Sequence, residues 1–227
     1  MKKSFWLFFF LVVLAANLTD RQFNNGQFEY FIKPLLIPAL AGYFIAQTNS
    51  ITNSLKKWIL FALFFSWAGD LLLMFEPKAQ IFFLLGLSSF LLAHIFYIVF
   101  FHQVRVKEKV KGNPWLLVIV VVYYAMLISW LSPYLGDMKI PVRVYGIIIS
   151  VMFMLAMHML FIKNRPAGKW MMVGALLFVM SDSALAINKF YQSFETAGVL
   201  IMLTYGLAQL FIVYGAVKYI DEINNKK

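Results

Sequence analysis

Asp70 and Asp182 are the residues most able to do chemistry in this sequence, because each interrupts a long apolar run. An ionisable side chain in mid-membrane costs roughly 2.5–3.5 kcal/mol on insertion scales, so each needs a reason to be there. The plain alternative is a helix–helix hydrogen bond to Ser, Tyr or Lys. Two carboxyls in one low-dielectric site cannot both ionise easily, so one keeps its proton while the other carries charge. The protonated partner can donate, and the charged one can stabilise a cation or activate water. That division suits cleavage of an acetal-like or enol-ether bond through an oxocarbenium-like state.

Other polar groups interrupt apolar runs. His94 shares a helical face with Gly86, Phe90 and Tyr97. Its bland reading is a packing histidine bonded to a backbone carbonyl. Gln209 follows Tyr205 by four residues. Lys33-Pro34 interrupts the second run; Lys33 can snorkel to the interface or pair with a carboxylate or a phosphate. His158 lies amid methionines and reads as packing or lipid interface, and His102 as surface. The three histidines lack metal-ligand spacing, so no metal is assigned. Ser181-Asp182-Ser183 has no evident base beside either serine, and neither a Walker-type phosphate loop nor a G-x-S-x-G elbow is present.

These residues must be positioned by membrane helices. Of 227 residues, 62% are hydrophobic and 13% charged, and the mean hydropathy is +0.78. A soluble chain averages roughly 45–50% apolar and about 25% charged. Such a chain cannot cover its surface with polar groups, which excludes a soluble enzyme, a disordered chain and a free nucleic-acid binder. With no cysteine, thiolate nucleophiles, disulfides and Cys-ligated metals are excluded as well. The net charge of +10 is read as cationic loops that orient the chain and touch acidic headgroups.

A spanning helix takes about 20 mainly apolar residues. The spacing predicts eight, near 4–18, 29–46, 58–75, 79–101, 114–131, 141–162, 169–190 and 196–220. Gly112-Asn113-Pro114 and Asn164-Arg165-Pro166 act as breakers. Lys2 and Lys3 before an apolar run ending in Ala15-Ala16 resemble a signal peptide, but no clear cleavage motif follows, so a retained helix is expected. Fourteen Lys and Arg residues then fall on the side of the termini (Lys2, Lys3, Lys226 and Lys227 among them) and five on the other, which predicts cytoplasmic termini. Localisation follows as multi-pass, in the cytoplasmic membrane if the source is bacterial.

Lys57-Trp58 precedes Asp70 and Leu73 at the spacing by which Lys169-Trp170 precedes Asp182 and Leu185. The offset is 112 residues. The expected fold is therefore all-α: one polytopic membrane domain, 1–227, built by parallel duplication of a four-helix unit with half-repeats 1–111 and 112–227. Each aspartate would lie about 18 Å along its helix from its Trp, at matching depth.

The polar positions, in order, resemble the YhhN-like family of membrane proteins. The resemblance is carried by Lys33-Pro34; Phe65-Ser66-x-x-Gly69-Asp70-x-x-Leu73; Phe83-x-x-Gly86-x-x-x-Phe90-x-x-x-His94-x-x-Tyr97; Gly174-Ala175-x-x-Phe178-x-x-Ser181-Asp182-x-x-Leu185-Ala186; and Tyr205-x-x-Ala208-Gln209. The family's characterised animal members are lysoplasmalogenases. The resemblance implies hydrolysis of a lysoplasmalogen vinyl ether by Asp70 and Asp182. His94, Tyr97, Tyr205, Gln209, Ser66 and Ser181 would line the substrate site, and Lys33 would meet the phosphate. It implies a lysophospholipid substrate in membrane lipid, no nucleic acid and no cofactor, and is silent on oligomeric state. Three other readings stay open: a transporter of lipids or small amphiphiles with proton-coupled carboxylates, a metal-dependent membrane lipid hydrolase, and a non-catalytic scaffold.

Overall fold

A computed structural model describes residues 3–225; Lys2, Lys226 and Lys227 of the charge count lie outside the described residues. Among these residues eight helices are long and apolar enough to cross a membrane. They are α1 (Lys3–Phe23), α2 (Glu29–Thr48), α3 (Lys56–Met74), α4 (Ile81–Lys107), α5 (Pro114–Leu131), α6 (Lys139–His158), α7 (Arg165–Ala186) and α8 (Ala197–Asn225). The chain is a multi-pass integral membrane protein.

Several helices run longer than hydropathy suggests. α4 continues past Phe101 to Lys107 because Arg105 and Lys107 occupy its last turn, where cations face the negative end of the helix dipole. Asn164-Arg165-Pro166 starts α7 instead of merely separating it from α6. The Asn164 side chain accepts from Ala167 N–H at 3.0 Å, and proline sits in the first turn. Asn113 does the same for α5, accepting from Trp115 N–H at 3.0 Å.

The α1–α2 turn is tight. Asn25 and Gly26 adopt φ of 51° and 76°. The buried Asp20 carboxylate accepts from Phe28 N–H at 3.1 Å. α2 contains Pro34 and Pro38. Pro38 has no N–H, which frees the Pro34 carbonyl one turn earlier. The Trp67 indole N–H of α3 donates to that carbonyl at 3.0 Å, so the break also locks α2 to α3.

α7 and α8 form the most extensively packed pair, then α3 with α4. Small residues allow it. A Cβ on Gly174 would lie 2.8 Å from the Ala208 carbonyl, and one on Gly215 2.8 Å from the Ala167 carbonyl, so the α7 and α8 backbones touch directly. The neighbour pairs of the first half recur in the second: α1–α2 with α5–α6, α2–α3 with α6–α7, and α4–α6 with α8–α2. α5 departs from this regularity in being only 11% buried along its span. Beyond its last turn it meets the π-helical turn Ile187–Tyr191 that continues α7.

Candidate active site in the membrane

Asp70 sits on α3, one residue after Gly69. A Cβ on Gly69 would lie 2.7 Å from the Phe90 ring, so α4 closes tightly over this turn. Asp70 is 2% exposed. Its Oδ2 accepts from the Tyr205 hydroxyl of α8 at 2.7 Å, and its Oδ1 lies 3.9 Å from Lys33 Nζ of α2. Lys33 is also 3.2 Å from Glu29, and Glu29 takes a 2.5 Å hydrogen bond from Arg21 of α1. A chain of alternating charge, Arg21–Glu29–Lys33–Asp70, thus runs from the helix ends into the bundle. A buried ionised group of this kind is sustained by a partner of opposite sign.

Asp182, one turn from the end of α7, has different company. Its Oδ2 accepts a hydrogen bond from the Tyr145 hydroxyl of α6. His94 Nε2 of α4 lies 3.7 Å from the same oxygen. His94 Nδ1 is 2.7 Å from the Phe90 carbonyl. A carbonyl only accepts, so Nδ1 carries the hydrogen and Nε2 points at the carboxyl. No described Lys or Arg pairs with Asp182. Its side chain is 15% exposed, more open than that of Asp70.

Both carboxyls line one cavity of about 370 Å³, together with Lys33, Tyr145, Ser181 and Tyr205. Its inner wall is apolar, with Leu73, Leu87, Phe90, Ile201 and Met202. The lining comes from the carboxyl ends of α1, α3 and α7 and the amino ends of α2, α4, α6 and α8. The mouth therefore opens at the end of the bundle away from the chain termini. The volume falls in the range of small-molecule sites, and the lining of apolar walls with few convergent polar groups is typical of them.

The sequence-derived candidates divide into two shells. Asp70, Asp182, Lys33, Tyr205 and Ser181 border the cavity; the Ser181 hydroxyl donates to the Ile201 carbonyl at 3.0 Å, pinning α7 to α8. Tyr97, Gln209 and Ser66 lie behind it, fully buried. The Tyr97 hydroxyl donates to Gln209 Oε1 at 2.5 Å, and Gln209 Nε2 donates to Ser66 Oγ at 2.9 Å. His94 is also fully buried, packed edge-on against Phe178 and Tyr145. His158 is a structural tie: it accepts from Asn113 N–H at 3.2 Å and bonds the Met154 carbonyl at 2.8 Å. His102 is exposed. Among the described residues no three His, Asp or Glu side chains converge as metal ligands would.

Three site residues escape inspection of the sequence. Arg21 and Glu29 sit at helix ends, where charge is unremarked. Tyr145 looks like one more aromatic in an apolar helix. A signal for it exists: Tyr145 follows Lys33 by the 112 residues that separate Asp70 from Asp182. Tyr97 and Gln209, which bond each other, are separated by 112 as well.

The sequence profile of the YhhN family matches residues 28–216, which span the residues of both carboxyl sites except Arg21. The lysoplasmalogenase of Mycobacterium tuberculosis is 33% identical over 204 residues, covering 88% of this chain and 73% of its own. Human lysoplasmalogenase TMEM86B is 31% identical over 195 residues, covering 84% and 76%. No solved structure matches the chain. A profile match across both halves, with relatives above 30% identity over most of their own length, shows that the chain belongs to the YhhN family.

Proposed function

We propose that this protein is a membrane-embedded hydrolase that cleaves the vinyl-ether bond of a lysoplasmalogen. The products are a fatty aldehyde and glycerophosphoethanolamine or glycerophosphocholine. The activity named for its relatives supports the substrate class. The observation that carries the mechanism is one cavity bordered by two carboxyls with unlike partners, Lys33 and Tyr205 for Asp70, Tyr145 and His94 for Asp182.

Asp182 is the proton donor. It has no cationic Lys or Arg beside it to hold it ionised, and it is the more open of the two to the cavity. It protonates the alkenyl carbon remote from the ether oxygen. The double-bond electrons form the new C–H bond, and positive charge develops on the ether carbon and oxygen. Asp70, charge-balanced by Lys33, stabilises this oxocarbenium and takes a proton from the water that attacks its carbon. The hemiacetal hydroxyl proton passes to the glycerol oxygen as the carbon–oxygen bond breaks, giving aldehyde and alcohol; one water is consumed, and the proton on Asp70 returns to Asp182 through water in the shared cavity. Tyr145 and Tyr205 hold the carboxyls in place, and the chain Tyr97–Gln209–Ser66 stiffens the wall behind them. His94 turns Nε2 toward Asp182 and packs behind that carboxyl. Phe90, Leu87 and Ile201 give the alkenyl chain an apolar bed.

Aldehyde release from a lysoplasmalogen by detergent-purified protein, with excess chelator, tests this reading. Wild type is expected to turn over. Asp70→Asn and Asp182→Asn, checked for native folding, are each expected to lose about 10²- to 10⁴-fold in kcat, the usual worth of a positioned acid or base. Correctly folded wild type that releases no aldehyde overturns the substrate; turnover by both variants overturns the mechanism.

A further inference from the structure

A second, polar cavity of about 560 Å³ adjoins the mouth of the first. Arg21, Glu29 and Gly198 line both, so the two abut at these residues. Glu195 and Thr196, from the segment just before α8, line it together with the Asn25-Gly26 turn. Arg21 stands at the junction with its guanidinium fixed. Nε donates to Asn17 at 3.2 Å, and Nη2 to Glu29 at 2.5 Å. Gly198 makes room for it: a Cβ there would lie 2.9 Å from Arg21 Nη1. Neither hydrogen bond uses Nη1, so donors remain toward the cavities. Glu29 is matched by both Arg21 and Lys33. Glu195, exposed in the lining of the second cavity, pairs with no described cation.

We propose that this vestibule is the subsite for a zwitterionic phospho-amine headgroup, with Arg21 Nη1 donating to the phosphate and Glu195 facing the ammonium. The inference rests on the lysophospholipid reading above and adds the residues that select the headgroup, Arg21 and Glu195. A guanidinium with free donors matches phosphate, and a carboxylate without a partner matches an amine. The polar groups also fall in substrate order. From the inside outward the walls present Asp70 and Asp182, then Lys33, then Arg21 and Glu29, then Glu195. A lysoplasmalogen presents vinyl ether, glycerol, phosphate and amine in the same sequence. Two cations, Lys33 and Arg21, against four carboxyls, Asp70, Asp182, Glu29 and Glu195, along this path disfavour a headgroup that is purely anionic. Lys33, occupied by Glu29 and Asp70, leaves the phosphate to Arg21.

Binding of non-hydrolysable alkyl-ether lysolipids to the detergent-solubilised full-length protein tests this without needing turnover. Three ligands share one alkyl chain: the glycerophosphoethanolamine, the glycerophosphate and the phosphate-free alkylglycerol. Wild type is expected to bind the first most tightly. Glu195→Gln is expected to cut its preference over the glycerophosphate about two- to five-fold, the range of an exposed ion pair, and Glu195→Lys to invert it. Glu195→Asp should keep it. Arg21→Gln, checked for folding, should narrow the gap between the phosphate-bearing ligands and the alkylglycerol. The same preference in wild type, Glu195→Gln and Glu195→Lys overturns the subsite, as does a wild type without preference. Aldehyde release separates the two readings: headgroup preference without release sinks the hydrolase and leaves the subsite, whereas release with unaltered preference does the reverse.

Discussion

Lys33 and Tyr145 occupy matching places in the two halves, yet one is a cation and the other a phenol. This difference makes the two aspartates unequal, and it sets what each substitution costs. Removing Lys33 leaves Asp70 buried without its counter-charge, a loss of about 3–5 kcal/mol when one partner of a buried pair is deleted. Lys33→Met should therefore lower the thermal midpoint of the solubilised protein sharply. Lys33→Met combined with Asp70→Asn should recover most of that loss while staying inactive. Tyr145→Phe removes one hydrogen bond to a more open carboxyl, so its midpoint should fall far less than that of Lys33→Met. Equal midpoints for the single and double Lys33 variants would refute the pairing. At this scale Asp70, Asp182, Lys33 and Tyr205 were legible because polar atoms in hydrocarbon need partners. Tyr145 was not, since an aromatic ring satisfies the pattern of a packing residue and only its hydroxyl reveals another use.

The helices position these side chains through irregularities more than through ideal geometry. α2 presents Lys33 from a segment broken by Pro34 and Pro38, and Trp67 caps the carbonyl that Pro38 leaves without a donor. Trp67→Phe should cost about 1–3 kcal/mol, the penalty of a buried acceptor left unpaired. Pro38→Ala restores the missing N–H and should reduce that cost in the double variant, read by thermal unfolding. Additive losses would argue that the indole contributes packing alone. Hydropathy located all eight helices but misjudged their ends. It registers apolar residues, whereas the ends of α4 and α7 follow from Arg105, Lys107 and the Asn164 cap, which are polar. The π-helical turn after Ala186, which packs against α5, left no mark in the sequence.

Across the whole molecule, the 112-residue offset joins Lys33 to Tyr145, Asp70 to Asp182 and Tyr97 to Gln209, and the helix neighbours recur in the same order. We propose that the fold is a duplicated four-helix unit whose halves have diverged at the residues flanking each carboxyl. Orientation is a separate matter, proposed from the loop charges: termini and the loops at 47–57, 102–113 and 163–169 in the cytoplasm. The sequence lacks cysteine, so single cysteines report cleanly. Lys111→Cys should react with a membrane-impermeant maleimide only after the cells are opened, and Glu195→Cys in intact cells; the opposite pattern reverses the orientation.

The cavity and the polar vestibule beside it lie at the end of the bundle away from the termini. A lipid whose headgroup must lodge there can approach only from the leaflet that this end faces. A lysolipid hydrolase built on the proposed site would be sided: it would read the lipid population of one leaflet and be blind to the other until lipids cross the bilayer. In sealed vesicles of uniform orientation, consumption should halt at the accessible half of the substrate and then continue at the pace of transbilayer exchange. Measured turnover in a membrane would then report lipid traffic as much as catalysis.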